Sequence, residues 1–266
     1  MFVKVLSILG ILIFGVLILL FLVYLMQEKI IFYPTKLAQD HPFEFDSDYE
    51  ELSIVAEDSV FLNGLLFTVD SSAGLIFYLH GNAGALDSWG EVAEEYTKLN
   101  YDIFIFDYRG YGKSEGSISS EDQVYSDIQI AYNELKQRYN ESDIIVLGYS
   151  MGTAPAAKLA AENNPRMLIL QAPYFSMLDI KDKIYPFLPD FIVKYKFETY
   201  KYLEKVKAPV VIFHGDKDEV VYYGSSEKLQ KYLKPTDKFI TLKGQAHNGI
   251  TYNPEYQKQI AKILKD

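Results

Sequence analysis

A single serine lies between two glycines in residues 148–152 (GYSMG), directly after the apolar run 144–147 (IIVL). The pattern G-x-S-x-G is typical of a nucleophilic serine on a sharp turn between a buried strand and a helix. The glycines leave room for the tight backbone, so that the hydroxyl projects above the end of the strand. A serine that only capped a helix would explain the residue type, but it would not require paired glycines. We therefore predict that Ser150 is a nucleophile.

A serine nucleophile needs a base to accept its proton, and the chain has 4 histidines. His41 precedes the predicted sheet, and His80 and His214 each end a strand and precede a glycine, which suits the organisation of loops. His247 follows the last predicted strand, in a loop that can return to the serine. Elimination predicts His247 as the general base.

The base needs a carboxylate that holds its tautomer and stabilises the imidazolium. Residues 213–221 (FHGDKDEVV) offer Asp216 and Asp218 after the penultimate strand. Asp218 lies deeper in this loop, and we prefer it to Asp216. The resulting chain order, Ser150, Asp218 and His247, is the order found in the α/β-hydrolase arrangement.

Hydrolysis of an acyl bond also needs hydrogen-bond donors where the oxyanion forms. The backbone N–H of Met151 follows the nucleophile at the start of a helix and supplies one donor. The second is expected from the loop 80–84 (HGNAG), where Asn82 is the first choice and Ala83 is an alternative. This glycine-rich loop completes neither a P-loop nor a dinucleotide fingerprint.

Composition argues against several other functions. The net charge of −10 argues against a nucleic-acid partner, because phosphate binding needs a basic surface. The absence of cysteine excludes a disulfide, a thiolate nucleophile and a cysteine-based zinc site. A metal site on His214, Asp216 and Asp218 is the competing interpretation, but no second histidine or acidic motif completes its ligand set. We expect neither a metal nor a cofactor.

Apolar runs that alternate with helical stretches indicate the sheet that positions these residues. Residues 75–79 (LIFYL) are continuously apolar, which is typical of a strand buried on both faces. Such alternation predicts an α/β fold with a mostly parallel central sheet and helices on both faces. The predicted strands are 51–55, 60–69, 75–79, 102–106, 144–147, 167–170, 209–213 and 239–242. The predicted helices lie near 88–99, 121–139, 151–162 and 224–233, with a last one from 254.

The N-terminus differs in kind from the rest of the chain. Residues 5–26 are 22 uncharged, mostly aliphatic or aromatic residues, enough at about 1.5 Å per residue to cross a hydrocarbon core of about 30 Å. A cleaved signal peptide is the alternative, but a small-residue cleavage site does not follow. We predict a tail at 1–4, a single transmembrane anchor at 5–26, a connector at 27–48 and a catalytic domain at 49–266. Lys4 lies on one side of the span and Lys29 and Lys36 on the other, so orientation is nearly balanced and only slightly favours an extracytoplasmic domain.

One stretch interrupts the alternation of strands and helices. Residues 173–206 contain nine tyrosines and phenylalanines and are too long for a simple connection between two strands. They would pack as ordinary core or form a lid over a site. The position between two central strands favours the lid.

The segments 77–84 (FYLHGNAG), 106–116 (FDYRGYGKSEG), 148–156 (GYSMGTAPA), 185–190 (YPFLPD), 209–221 (PVVIFHGDKDEVV) and 244–248 (GQAHN) resemble the α/β-hydrolase superfamily. They are most similar to its membrane-anchored branch, which includes the fungal Bem-type proteins and mammalian abhydrolase-domain lipases and depalmitoylases. The resemblance implies the same roles for Ser150, Asp218, His247, Met151 and the Asn82 loop. The chain departs from the family pattern at 196–199 (KFET), where a basic residue, an aromatic residue and Asp are more usual.

These observations predict a membrane-anchored serine hydrolase that cleaves carboxylic esters or thioesters through an acyl-enzyme. The expected partners are the membrane and a small-molecule or lipid acyl substrate. A catalytically silent lipid-binding module is the alternative from another class, and an amidase or perhydrolase would use the same triad. Ester, thioester and amide substrates, and acyl length, stay open at this point.

Overall fold

The apolar runs of the sequence form strands in the computed structural model of the chain, which describes residues 2–265. The strands are β1 (Tyr33–Pro34), β2 (Tyr49–Val55), β3 (Phe61–Phe67), β4 (Leu75–Leu79), β5 (Ala83–Gly84), β6 (Asp102–Phe106), β7 (Ile144–Tyr149), β8 (Met167–Gln171), β9 (Val210–Gly215) and β10 (Lys238–Leu242). The α-helices are α1 (Phe2–Leu25), α2 (Gln27–Ile31), α3 (Leu86–Trp89), α4 (Ala93–Thr97), α5 (Glu121–Leu135), α6 (Thr153–Glu162), α7 (Met177–Ile184), α8 (Thr199–Leu203), α9 (Tyr223–Glu227) and α10 (Pro254–Ile263).

The central sheet has the strand order β10-β9-β8-β7-β4-β6-β3-β2. The pairs β2–β3 and β3–β6 are antiparallel and the other pairs are parallel, which confirms the predicted mostly parallel sheet. Strands β4, β7, β9 and β10 run parallel, so their carboxyl ends meet at one edge. In open α/β sheets ligands bind outside that edge.

Both faces of the sheet are covered by an apolar core. Along β4, Leu75, Phe77 and Leu79 belong to one buried cluster, while Ile76 and Tyr78 belong to the other. The first cluster contains residues of α5 and α6, and the second contains residues of α4 and α10. This alternation explains why the run 75–79 is apolar at every position.

The helix predicted near 88–99 is divided into two shorter ones. A 3₁₀ turn, Gly90–Val92, separates α3 from α4. A Cβ at Gly90 would lie 2.2 Å from the ring of Phe45, so the chain needs a glycine at this close approach. The helix predicted near 224–233 is likewise an α-helical turn, α9, followed by the 3₁₀ turn Lys228–Tyr232.

The helix α1 is exposed along its length, with a mean hydropathy of 3.2 in its most apolar window. Its 24 residues extend about 36 Å, which is enough to cross a bilayer by length and composition. It overlaps the span predicted from the sequence at 5–26.

The residues that follow α1 pack against the catalytic domain. We call residues 27–37 the strap. Strand β1 of the strap pairs in parallel with β5, and Phe32 is buried against the rings of Tyr195 and Phe197. The strap continues past β1, where Gly112 N donates to Thr35 O and Leu37 N donates to Gly112 O. Part of the predicted connector is therefore built into the fold.

The region 173–206, predicted as a lid, contains α7, the 3₁₀ turn Asp190–Ile192 and α8. Its aromatic residues divide into two groups. Tyr174, Tyr195 and Phe197 are buried in the core, whereas Tyr185, Phe187 and Phe191 are exposed. The two ends of the region therefore belong to the core, whereas its middle part, around Phe187, lies on the surface.

Candidate active site

Ser150 lies at the carboxyl end of β7, where the strand turns through the 3₁₀ turn Ser150–Gly152 into α6. Its φ is +49°, in the left-handed region that residues with a side chain rarely adopt. Such a backbone costs on the order of 1–3 kcal/mol and persists only where the surrounding structure enforces it. The serine therefore occupies the strained turn that the G-x-S-x-G pattern predicts.

The two glycines of this motif are required by packing. A Cβ at Gly148 would lie 2.5 Å from the carbonyl oxygen of Gly152 and 2.7 Å from Cβ of Ala156. A Cβ at Gly152 would lie 2.2 Å from the carbonyl oxygen of Leu79. The turn thus packs on its own helix on one side and on the end of β4 on the other, with no room for a methyl group.

The loops after β9 and β10 bring together the predicted acid and base. Asp218 Oδ2 lies 2.7 Å from Nδ1 of His247, and Asp218 Oδ1 accepts the backbone N–H groups of Val220 and Val221 at 2.9 and 2.8 Å. Burial raises the pKa of Asp218, but hydrogen bonds from His214, His247 and the backbone outweigh it and hold this pKa well below its usual range. Asp218 is therefore a carboxylate, and its Oδ2 accepts a hydrogen bond from the N–H group at Nδ1 of His247.

The two aspartates of the β9 loop occupy different environments. Asp216 is exposed, and its Oδ1 accepts the backbone N–H of Gly244 at 2.7 Å. It ties the β9 loop to the β10 loop without touching His247. The structure brings Asp218, and not Asp216, to His247.

A second histidine contacts the same carboxylate. Nε2 of the fully buried His214 lies 3.1 Å from Asp218 Oδ2 and 3.0 Å from the carbonyl oxygen of Val221. Both neighbours are acceptors, so Nε2 carries the proton, and Nδ1 has no hydrogen-bond partner within residues 2–265. His214 organises the loop, as its position after a strand predicts, but its contact with the acid was not foreseen. The sequence carries no local signal for this contact, because residues four apart in a strand and its loop meet only when the loop folds back.

His247 is held on its backbone side by the residue that precedes the nucleophile. The hydroxyl of Tyr149 donates to the carbonyl oxygen of His247, and the two rings make an edge contact with centroids 5.9 Å apart. With Nδ1 on Asp218, Nε2 is the nitrogen free to face Ser150, and it forms no hydrogen bond within residues 2–265. Catalytic hydrogen bonds of this kind are often long until substrate binds.

The oxyanion loop, residues 80–84 after β4, is fixed by the side chain of Asn82. Asn82 Nδ2 donates to Ile31 O, while its Oδ1 accepts Tyr33 N at 3.3 Å and the Tyr111 hydroxyl at 3.0 Å. Because the amide side chain is occupied by these partners, an oxyanion donor from Asn82 would be its backbone N–H. The alternative residue, Ala83, lies in β5 and pairs with Tyr33.

The loop that carries Tyr111 is fixed in turn by an ion-pair cluster. The guanidinium of Arg109, which is buried, lies 2.6 Å from Asp127 Oδ2 and 2.7 Å from each carboxylate oxygen of Asp58. Removing one partner of such a buried pair is strongly destabilising, because it leaves an uncompensated charge. The segment 106–116 therefore has a structural role behind the oxyanion loop.

The three residues of the predicted triad are almost completely buried. Ser150 is 8% exposed, Asp218 8% and His247 9%. A cavity of about 400 Å³ lies elsewhere, between residues 44–47 and the 3₁₀ turn Gly90–Val92, and none of the three residues lines it.

Comparison with known proteins agrees with this arrangement. Residues 70–201 match the family model described as "Serine aminopeptidase, S33". The chain is 30% identical over 198 residues to alpha/beta hydrolase domain-containing protein 17C of Xenopus tropicalis, covering 71% of this chain and 61% of that protein. It is 29% identical over 202 residues to protein 17B of Homo sapiens, covering 71% and 65%. The chain thus spans about three fifths of the length of these curated relatives.

Solved structures show the same fold. An esterase of Pyrococcus furiosus superposes with a TM-score of 0.71 at 22% identity, covering 88% of this chain and 97% of that one. The α/β-hydrolase GrgF of a Penicillium species superposes with a TM-score of 0.66 at 15% identity, covering 82% and 98%.

The fold and the family match confirm the expectation drawn from the motifs. The chain has the α/β-hydrolase fold, and its sequence is similar to hydrolases of that superfamily. The family match includes Ser150 and ends before Asp218 and His247, and the catalytic roles of all three residues stay predictions.

Proposed function

We propose that this protein is a membrane-anchored hydrolase of carboxylic esters or thioesters, acting on acyl lipids or acylated molecules through a Ser150–Asp218–His247 triad. The observation that carries the proposal is the 2.7 Å contact of Asp218 Oδ2 with His247 Nδ1. The backbone of His247 is held by Tyr149, the residue that precedes the serine at positive φ. Nucleophile, base and orienting acid are the minimum set for acyl transfer by a serine.

The reaction begins when His247 Nε2 takes the proton of Ser150 as Oγ attacks the carbonyl carbon. The N–H groups of Met151 and Asn82 stabilise the oxyanion of the tetrahedral intermediate. Collapse expels the alcohol or thiol, which receives the proton from His247, and leaves an acyl-serine. Water, deprotonated by His247, then releases the carboxylic acid and restores the serine.

The acyl part of the proposal is supported by the N-terminal helix and the aromatic lid region. A long apolar helix beside the catalytic domain would hold the site where acyl lipids are concentrated, with the domain on the extracytoplasmic side. Burial of each CH₂ of an acyl chain contributes about 0.8 kcal/mol, so a cleft built for lipids gains affinity with chain length.

The test uses the full-length protein in lipid nanodiscs. Wild type should react with a fluorophosphonate probe and hydrolyse p-nitrophenyl esters and acyl thioesters. Replacement Ser150→Ala should abolish labelling and reduce kcat by about 10⁶, because loss of the nucleophile removes the acyl-enzyme route. Ser142→Ala, an exposed serine at the opposite end of β7, is the matched control and should behave as wild type.

Two outcomes would contradict the proposal at different levels. Substantial turnover by the Ser150→Ala protein would remove the triad mechanism, and absence of turnover by wild type would favour a silent lipid-binding module. A series from acetate to palmitate tests the acyl class separately. Preference for acetate, with a steady fall in kcat/KM as the chain lengthens, would indicate a small closed pocket.

A further inference from the structure

The tip of the lid exposes an unusual amount of apolar surface. We define the lid tip as residues 184–191, from the last residue of α7 into the 3₁₀ turn Asp190–Ile192. Phe187 is 79% exposed and Phe191 74%, and Ile184 and Tyr185 are also exposed. Other aromatic residues of the region, such as Tyr195 and Phe197, are buried, so the tip is distinct from the two ends of the region.

The lid tip is fixed against the end of α1. The turn Asp190–Ile192 packs directly on α1. Gln27, two residues past the end of α1, is buried; its Nε2 donates to Ile192 O, and its Oε1 accepts Lys194 N at 2.8 Å. A membrane crossed by α1 would therefore have its surface close to this turn, which contains Phe191 and follows Phe187 by three residues.

Carboxylates near this surface are paired with lysines. Lys181 Nζ lies 2.6 Å from Asp190 Oδ1 and also contacts Asp182, and Lys194 forms an ion pair with Glu28. Pairing reduces the repulsion that free carboxylates would have with anionic lipid headgroups. Aromatic and aliphatic side chains surrounded by basic residues are typical of segments at the boundary of headgroups and acyl chains.

We propose that the lid tip is a second membrane contact, inserted into the headgroup region of the bilayer that α1 crosses. The inference rests on the proposed anchoring by α1 and names the bilayer as the partner of this surface. Two contacts, α1 and the tip, would hold the lid at the membrane surface, so that an acyl chain can pass from bilayer to cleft without crossing water.

The chain has no cysteine, so a single engineered cysteine can be labelled at one site. Full-length Phe187→Cys and Phe191→Cys proteins, carrying a bimane label, are reconstituted into phosphatidylcholine liposomes with nitroxide-bearing lipids. Leu25→Cys, at the end of α1, reports the anchor. Ser142→Cys, at the amino end of β7 and opposite the site, reports the aqueous side. Fluorophosphonate labelling of Ser150 verifies that each variant is folded.

Strong quenching at positions 25, 187 and 191, with little at 142, is the expected result. Quenching at 25 but not at 187 and 191 overturns the lid contact and leaves the anchor intact. Absence of quenching at 25 overturns the anchor and this inference together. A blue shift at 187 without lipid quenching, dependent on protein concentration, would assign the tip to a second copy of the chain.

A functional measurement separates membrane contact from folding. The double variant Phe187→Ser/Phe191→Ser should hydrolyse a long-chain acyl ester embedded in liposomes at least about ten-fold more slowly than wild type. Its turnover of soluble p-nitrophenyl acetate should be unchanged, because neither residue contacts the triad. An equal loss on both substrates, or none on either, contradicts the proposal.

Discussion

The loop that carries Asp218 and the loop that carries Asn82 flank the same serine but are held in different ways. Asp218 is fixed by neighbours in its own loop, through the N–H groups of Val220 and Val221 and the ring of His214. Asn82 is fixed by residues remote in sequence, Ile31 and Tyr33 of the strap and Tyr111 of the β6 loop.

The difference shows that the site has a self-contained half and a dependent half. Asp218 and His247 are held by residues at the carboxyl ends of β7, β9 and β10, inside the central sheet. The oxyanion loop needs a segment that lies next to α1, outside the central sheet. Substitutions that disturb the Asp218–His247 pair should remove proton transfer. Substitutions that disturb the loop around Asn82 should misplace an oxyanion hydrogen-bond donor without altering the predicted triad.

The largest effect is expected from Asp218→Asn. An amide in this position stabilises the wrong tautomer of His247 and cannot stabilise the imidazolium, so kcat should fall by about 10⁴. The measurement is kcat for p-nitrophenyl butyrate at saturating substrate, with circular dichroism as the folding control. A loss of less than about ten-fold would show that another group orients His247.

A smaller effect is expected from Asn82→Ala, which leaves the triad intact. The substitution removes the bonds to Ile31, Tyr33 and Tyr111, and a misplaced oxyanion donor costs about 10² in kcat. Since the donor acts mainly in the transition state, KM should change little.

Tyr111→Phe provides the graded comparison for Asn82→Ala. It removes one of the partners of Asn82 Oδ1 and should reduce kcat less than Asn82→Ala does. Wild-type kcat in the Asn82→Ala protein would show that the loop holds its position without the strap.

Asp218 should also contribute a pH-dependent part of stability. Its pKa is depressed in the folded protein, so the stabilisation is complete above its unfolded pKa of about 3.9 and is lost as pH falls below that value. Urea unfolding between about pH 5 and pH 2.5 should show a steeper loss of unfolding free energy in wild type than in Asp218→Asn. Parallel curves would mean that the hydrogen bonds of Asp218 do not favour its charged form.

The smallest effect is expected from Asp216→Asn. Its carboxylate is exposed and accepts a single backbone N–H, from Gly244, which an amide oxygen can also accept. The kcat should stay within about three-fold of wild type, because the triad geometry is unchanged. A loss equal to that of Asp218→Asn would mean that the two loops, and not one carboxylate, govern His247.

The sheet and the strained turn at Ser150 could be predicted because their signals are local. Continuous apolar runs such as β4 reflect burial on both faces, and the glycines around Ser150 reflect contacts within a few ångströms of one turn. The order of Ser150, Asp218 and His247 along the chain was predicted from where each strand ends, and the structure places Asp218 against His247. These features depend on residues close together in sequence.

The strap could not be predicted because its pairing has no periodic signal. The strand β1 is two residues long and includes Pro34, and its partner β5 lies 50 residues later. The contact of His214 with Asp218 likewise appears only when the loop folds back on its own strand. Composition also cannot tell which lid aromatics face the core, so Tyr195 and Phe187 look alike in sequence although one is buried and the other exposed.

Because the strap supports the loop 80–84, a proteolytic cut before the strap and a cut within it would have different consequences. A cut after Met26 would free a domain that retains Gln27, Phe32 and β1, together with the support of the oxyanion loop. A cut after Thr35, only nine residues later, would free the same sheet and triad without that support. Shedding from a membrane at the first site would change only the location of the domain, whereas shedding at the second would also lower its activity.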